Sequence, residues 1–290
     1  MKVADLAGGR LPGPAELVRP DLVASDLDGT LLPPSLEFLP ATVAGVASLR
    51  RAGVPFVMVT GRMFRSARRM ADRLGLTEGP IICYQGALLA DLATGVWIRH
   101  LPIPSRLAAE VVEACRELHR HVNVYVGDEL YVEQDDVWAR RYAEYAEVGL
   151  NVVDDLVAVV AEPPTKIVIS SDPDDVTRLL PGLQERWEGE LYVTRSLPHF
   201  IEVSDPRGTK SQALDHLCGL LSARRRYTVT CGDGLNDVDM IEWAGLGVVM
   251  AEASDDVRRS ADLVVPRDRL GELFEAFAAA PPAREESPVA

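Results

Sequence analysis

The apolar positions of the chain fall into two kinds of run, and the way these alternate predicts its architecture. Short, nearly continuous apolar stretches at 22 to 28, 54 to 59, 80 to 83, 227 to 231, 246 to 250 and 262 to 265 have the length and composition of strands buried on both faces. Between them, apolar residues return every three or four positions near 37 to 52, 64 to 74, 209 to 221, 236 to 243, 254 to 260 and 269 to 279, which predicts helices. Strand and helix in turn mean parallel strands joined by helical crossovers, an α/β fold with a doubly wound sheet.

The alternation is interrupted once, roughly from Gly86 to Asp205. Leu88-Leu89-Ala90 and Val96-Trp97-Ile98 flank the polar Asp91 to Gly95, and Val122 to Val126 with Leu130 to Glu133 flank Gly127-Asp128-Glu129, two hairpin signals. Helices near 105 to 119 and 173 to 187 and strands at about 166 to 170, 190 to 194 and 199 to 203 complete an α+β unit with an antiparallel sheet. It is long enough to be a domain. The expected organisation is a core from 1–85 and 206–290 with an inserted domain at 86–205; residues 1–20 and 281–290, punctuated by Gly and Pro, read as loose tails.

Chemistry gathers where the core strands end. The first strand runs into Asp26-Leu27-Asp28-Gly29-Thr30, and alternation puts Asp26 and Asp28 on one side before Gly29 turns the chain. Strand carboxyl ends are where open α/β sheets bind ligands. A carboxylate there can attack phosphorus, so Asp26 is the candidate nucleophile, and Asp28 can protonate the leaving oxygen and later activate water. The second strand ends in Thr60-Gly61, a hydroxyl and an amide suited to a phosphate oxygen. Lys210 opens a helix after Pro206-Arg207-Gly208-Thr209 and can place positive charge on nucleophile and phosphate alike. The strand at 227 to 231 ends in Gly232-Asp233-Gly234-Leu235-Asn236-Asp237, whose carboxylates, gathered with the first pair, suit a hard, octahedral Mg²⁺.

These four elements in this order resemble the haloacid dehalogenase (HAD) superfamily of phosphohydrolases, and an insertion between the Thr-Gly strand and the lysine resembles its Cof-type subfamily. The resemblance covers most of the chain apart from its termini. It implies a Rossmann-like core, a cap domain that selects substrate, and catalysis through an aspartyl-phosphate. Carried over by position, Asp26 is nucleophile and Mg²⁺ ligand, Asp28 is acid/base and offers its carbonyl to the metal, Asp233 is a third ligand, and Asp237 stands beside the metal. Thr60, Lys210, Asn236 and the amides of Leu27 and Gly61 hold the phosphoryl group. Three positions depart from the family pattern: Gln85 where Asn is usual before Gly, Ser211 where Gly follows the lysine, and Glu252 where Gly-Asn-Ala is expected, which puts a negative charge near the pocket rim.

Composition narrows the reading. The 290 residues carry a formal net charge of -14, which disfavours nucleic acid and anionic membranes as partners and leaves a phosphorylated small molecule to be attracted locally. No stretch approaches the ~18 apolar residues of a membrane span, and residues 1 to 20 lack the apolar middle of a signal peptide, so the cytoplasm is the expected location. Cys83, Cys115, Cys218 and Cys231 show no metal or redox spacing and read as buried thiols; the five histidines form no ligand pattern. Trp138-Ala139-Arg140-Arg141-Tyr142 reads as a helix with a packed and a solvated face, and Lys166 as the flank of an ordinary strand. Arg62 is either pocket wall or the partner of a core acid.

The expected function is therefore a Mg²⁺-dependent phosphatase of small phosphorylated metabolites, with sugar phosphates favoured. The alternatives are a cofactor-precursor phosphatase acting on a flavin-pathway or pyridoxal phosphate ester, a phosphomutase-like transferase, and a catalytically silent phosphate-binding sensor. Asp28's acid/base position argues against the sensor. Oligomeric state is not legible in the sequence.

Overall fold

In a computed structural model, which describes residues 10–283, two sheets organise the chain. The strands are, in chain order, β1 (Leu22–Asp26), β2 (Phe56–Val59), β3 (Pro80–Cys83), β4 (Leu88–Asp91), β5 (Trp97–His100), β6 (His121–Val126), β7 (Glu129–Val132), β8 (Asn151–Val152), β9 (Lys166–Ser170), β10 (Tyr192–Leu197), β11 (Phe200–Ser204), β12 (Thr228–Gly232), β13 (Leu246–Met250) and β14 (Leu263–Val265). The larger sheet runs β14-β13-β12-β1-β2-β3-β4-β5 and the smaller β10-β11-β9-β6-β7-β8. From β14 to β3 all pairings are parallel, with β1 central between β12 and β2.

Every residue of β1, β2, β12 and β13 is buried, as expected of parallel strands covered on both faces. Alternate residues feed different cores. Val23, Met58, Val229 and Val248 pack with helices Pro40–Arg51, Phe64–Arg73 and Leu270–Ala279, whereas Leu22, Ala24, Val57 and Val59 pack with helix Lys210–Leu221 and Met240. The smaller sheet also separates its faces. Val122, Val124, Ile167, Ile169, Ile201 and Val203 meet helices Ser105–Glu117 and Pro173–Arg186, while Tyr125, Leu130, Val168 and Phe200 join the apolar cluster of the larger sheet.

Two expectations are corrected. The 88–98 hairpin, expected within the insertion, extends the larger sheet: β4 pairs antiparallel with β3, and β5 with β4. Leu88, Leu89 and Ala90 are fully buried, so the hairpin takes the nearest open edge, β3, rather than crossing to the other unit. The tail expected at 1–20 is packed where it is described: Leu17 is buried in the main core, the Arg19 amide donates to the Pro281 carbonyl (2.8 Å), and its guanidinium donates to the Ala280 carbonyl (3.1 Å). Residues 281 and 282 are tied down by the same bonds and by a bridge between Arg19 and Pro282. The remainder of both tails, 1–9 and 284–290, lies outside the described residues.

Helices Pro40–Arg51 and Leu270–Ala279 pack backbone to backbone. A Cβ on Gly271 would lie 2.1 Å from the Ala41 carbonyl oxygen, and one on Gly45 would lie 2.6 Å from that of Gly271. Alanine usually gains up to about 1 kcal/mol over glycine inside a helix, but overpacking against backbone costs about 1–3 kcal/mol and should win here. We expect Gly271→Ala to lower the unfolding free energy by about 1–2 kcal/mol in urea titration. Gly219→Ala, in helix Lys210–Leu221 with open space around it, should raise it by about 0.5 kcal/mol.

Candidate active site

The carboxyl ends of β1, β2, β3 and β12 bring the chemistry-bearing side chains together. β1 ends on Asp26, and helix Lys210–Leu221, capped by the Thr209 hydroxyl, carries Lys210 in its first turn. The Lys210 ammonium donates to Asp26 Oδ1 and to Asp237 Oδ1, each at 2.6 Å. The second oxygen of Asp237 accepts the amides of Asp233 (3.0 Å) and Gly234 (2.8 Å), which curls the loop after β12 around it. Thr30, past the turn that follows β1, donates its hydroxyl to Asp233 Oδ1 at 2.7 Å.

This cluster is dry and unbalanced in charge. Asp26 is 4 % exposed, Asp237 1 % and Lys210 1 %, and these two buried carboxylates share one ammonium, with the half-buried Asp233 beside them. Burial alone would lower Lys210, but Asp237 and Asp26 outweigh it and hold its charge above the ordinary range. Burial pushes Asp26 upward and Asp237 adds to this, with Lys210 opposing. Asp233 is also raised, by burial first, with the Thr30 hydrogen bond opposing and Asp237 adding. Asp26, Asp233 and Asp237 each present an oxygen within 4.8 Å of the others, a donor set of hard oxygens with surplus negative charge that fits a hard divalent cation.

Asp28 stands apart from that cluster. Its side chain is 47 % exposed, and both its oxygens accept from Arg62, at 2.9 Å from Nε and 2.7 Å from Nη2. The ion pair with a core acid, one of the two readings of Arg62, is present. The same guanidinium lies 3.6 Å from Glu147 of the inserted unit. Leu27, between the two aspartates, is fully buried. Thr60 is buried too, with its hydroxyl accepting the Arg62 amide at 3.1 Å. Asn236 is exposed and donates to Gln85 Oε1 at 3.2 Å.

The departures from the family pattern find partners. Gln85, at φ 59°, donates its amide to the Thr60 carbonyl (3.0 Å), and its side-chain amide fills the space a Cβ on Gly61 would take. The Ser211 amide donates to Asp239 (3.0 Å), and its hydroxyl lies 3.1 Å from that of Thr209. The Glu252 carboxylate accepts the Arg267 amide at 3.2 Å, and the Arg267 guanidinium donates to the Gly29 carbonyl at 2.6 Å, behind the turn after Asp28.

Sequence reasoning passed over Lys166. It is no flank: it is buried at the start of β9, with Nζ 3.4 Å from the Gly61 carbonyl and 3.4 Å from Glu202, over the rings of Tyr125 and Tyr84. A lysine directly before the apolar run Ile167-Val168-Ile169 was the available signal, since a lysine at the start of a buried strand needs a partner. Trp138 lies instead at the opposite end of the smaller sheet, lining a cavity of about 500 Å³ with Arg120, His121 and Asp175. Arg120 pairs there with Asp175 (2.8 Å), and the His121 ring lies 3.1 Å from Asp136.

A family profile described as haloacid dehalogenase-like hydrolase matches residues 23–269. Pyridoxal phosphate phosphatase YbhA of Escherichia coli is 28% identical over 256 residues, 84% of this chain and 92% of its own. 5-Amino-6-(5-phospho-D-ribitylamino)uracil phosphatase YitU of Bacillus subtilis is 26% identical over 260 residues, 84% of this chain and 91% of its own. The solved structure of a haloacid dehalogenase-like hydrolase from Bacteroides thetaiotaomicron superposes with a TM-score of 0.80 at 25% identity, covering 88% of this chain and 97% of that one.

Removing the ammonium should leave two buried carboxylates facing each other. We expect Lys210→Met to lower the unfolding free energy in EDTA by about 3 kcal/mol. Millimolar Mg²⁺ should raise the thermal midpoint of the unmodified protein. A midpoint indifferent to Mg²⁺ would detach the carboxylate cluster from cation binding.

Proposed function

Because the chain belongs to the haloacid dehalogenase-like hydrolases, as a phosphatase of that family, we propose that it hydrolyses small phosphorylated metabolites, sugar phosphates foremost, through an aspartyl-phosphate on Asp26 with Mg²⁺ as cofactor. The observation that carries this reading is the buried Asp26–Lys210–Asp237 bridge, at the carboxyl end of the central strand and on the same edge as Thr60 and Gly61.

In the first half-reaction an Asp26 oxygen attacks phosphorus, the bond from phosphorus to the ester oxygen breaks, and its electron pair leaves with that oxygen, which takes a proton from Asp28. In the second, Asp28 removes a proton from water, the resulting oxygen attacks phosphorus, and Asp26 departs as a carboxylate beside inorganic phosphate. Lys210 keeps Asp26 in place and neutralises charge throughout. Thr60, the Gly61 and Leu27 amides and Asn236 are the donors we assign to the phosphoryl oxygens, so most of the work is positioning. Arg62 bonds both oxygens of Asp28 and so fixes the orientation of that carboxylate.

Bound Mg²⁺ would be held by Asp26, Asp233 and the Asp28 carbonyl, supplying further neutralisation of the phosphoryl charge. Asp237, whose oxygens already serve Lys210 and two loop amides, stands beside it. We assign the unit inserted within 86–205 to substrate selection, because its Lys166, paired with Glu202, reaches the Gly61 carbonyl. A second reading, pyridoxal phosphate as substrate, draws on the relative named for that activity. Among the described residues no helix is long and apolar enough to cross a membrane.

Phosphate release across sugar phosphates, nucleotides, flavin mononucleotide and pyridoxal phosphate, with and without Mg²⁺, tests the proposal. Metal-dependent turnover concentrated on a few esters is expected; no release above the Asp26→Asn blank would move the chain to the transferase or sensor readings. Asp26→Asn should lower kcat by roughly 10³-fold or more with the fold intact. Asp28→Asn should slow both half-reactions, and aspartyl-phosphate breaking down at the unmodified rate in that variant would remove the acid/base role from Asp28.

A further inference from the structure

Helix Phe64–Arg73 starts just after the Thr60-Gly61-Arg62 turn, and its own N-cap residue, Met63, has no acceptor to offer its first amides. The acceptor comes from the smaller sheet. Asp128 Oδ1 accepts the Phe64 amide at 2.9 Å and the Tyr84 hydroxyl at 2.7 Å, and Oδ2 accepts the Arg65 amide at 2.7 Å. Tyr84 precedes Gln85, which bonds the Thr60 carbonyl and Asn236. One carboxylate of the inserted unit thus satisfies donors on both loops beside the active site. Glu129 pairs with Arg65 at 2.6 Å, and the Glu147 carbonyl accepts from Arg69 at 2.6 Å, on the same seam.

Turn chemistry explains only half of this. Gly127 and Asp128, at φ 57° and 63°, form the two-residue connection between β6 and β7, a conformation that favours Gly, Asn or Asp. The turn has no need for the carboxylate to be 6 % exposed and fully engaged by the other unit. A carboxylate at a helix N-terminus is favoured by both the hydrogen bonds and the helix dipole, and those gains exist only while the two units are seated together.

We propose that Asp128 is a positioning residue that latches the inserted unit onto the core and, by capping helix Phe64–Arg73 from the other sheet, fixes the Thr60–Arg62 turn and Tyr84–Gln85 in the arrangement that receives the phosphoryl group. The link to phosphoryl binding rests on the proposed function; the latch itself does not. With the latch lost, a smaller fraction of molecules has the competent arrangement, and substrate must supply the difference, which appears as a weaker apparent affinity.

Asp128→Gly is the informative change, because glycine suits the turn and lacks the carboxylate; Asp128→Asn keeps the turn and one acceptor oxygen. Amide hydrogen exchange on the full chain with Mg²⁺ should show peptides within 62–68 and 82–86 exchanging about tenfold faster in Asp128→Gly, with an intermediate effect in Asp128→Asn and no change in 210–221. KM for the best ester of the panel should rise about tenfold with kcat within about twofold. Unchanged exchange in 62–68, or exchange rising equally along the whole chain, overturns the latch; faster exchange with an unchanged KM overturns its link to phosphoryl positioning. If no ester is turned over at all, the phosphatase reading fails and exchange alone decides on the latch.

Discussion

A single ammonium group, Lys210 Nζ, bonded at 2.6 Å to both Asp26 and Asp237, is the constraint from which the site is built. Burying two carboxylates side by side, Asp26 at the end of β1 and Asp237 in the loop after β12, would drive those segments apart without a cation between them. Lysine at the start of a helix packed on the other side of the sheet places that cation where β1 and β12 both end. Asp237 then uses its second oxygen on the Asp233 and Gly234 amides, so the loop after β12 is shaped by the same carboxylate that holds the lysine. The surplus charge left over suits the cluster to a divalent cation.

The second constraint is the seam between the sheets. Tyr125, Leu130, Val168 and Phe200 join the apolar cluster of the larger sheet, and polar groups at the seam are matched across it: Asp128 with the Phe64–Arg73 helix, Lys166 with the Gly61 carbonyl, and Arg62 with both Asp28 and Glu147. Moving one unit against the other breaks those that cross the seam: Asp128 to the helix, Lys166 to Gly61 and Arg62 to Glu147. The seating of the inserted unit and the geometry of the turns at the ends of β2 and β3 are therefore mechanically linked, although they belong to different parts of the chain.

Much of the core was legible because strand burial and strand ends are local matters. An apolar run followed by Asp-x-Asp-Gly, Thr-Gly or Gly-Asp-Gly carries its own turn chemistry, and alternation with helices implies a parallel sheet. The 88–98 hairpin was placed in the wrong unit because a hairpin's sequence specifies its own pairing and not the sheet edge it joins. Residues 10–20 looked loose because Gly and Pro break periodicity, yet a few backbone bonds to residues 280–282 hold them. Lys166 looked ordinary because nothing near it in sequence announces Gly61 or Glu202.

By itself the sequence determined the order of strands and helices, the residues that stand at the strand ends, and the family to which the chain belongs, all of which depend on residues close together along the chain. The tertiary structure decided which of those residues meet: that Lys210 bridges Asp26 and Asp237, that Asp28 is held by Arg62 and not by the carboxylate cluster, and that a turn residue of one unit caps a helix of the other. Such pairings join groups dozens to nearly two hundred residues apart, and they are selected by burial, which forces each polar group to find a partner only once the whole chain has packed.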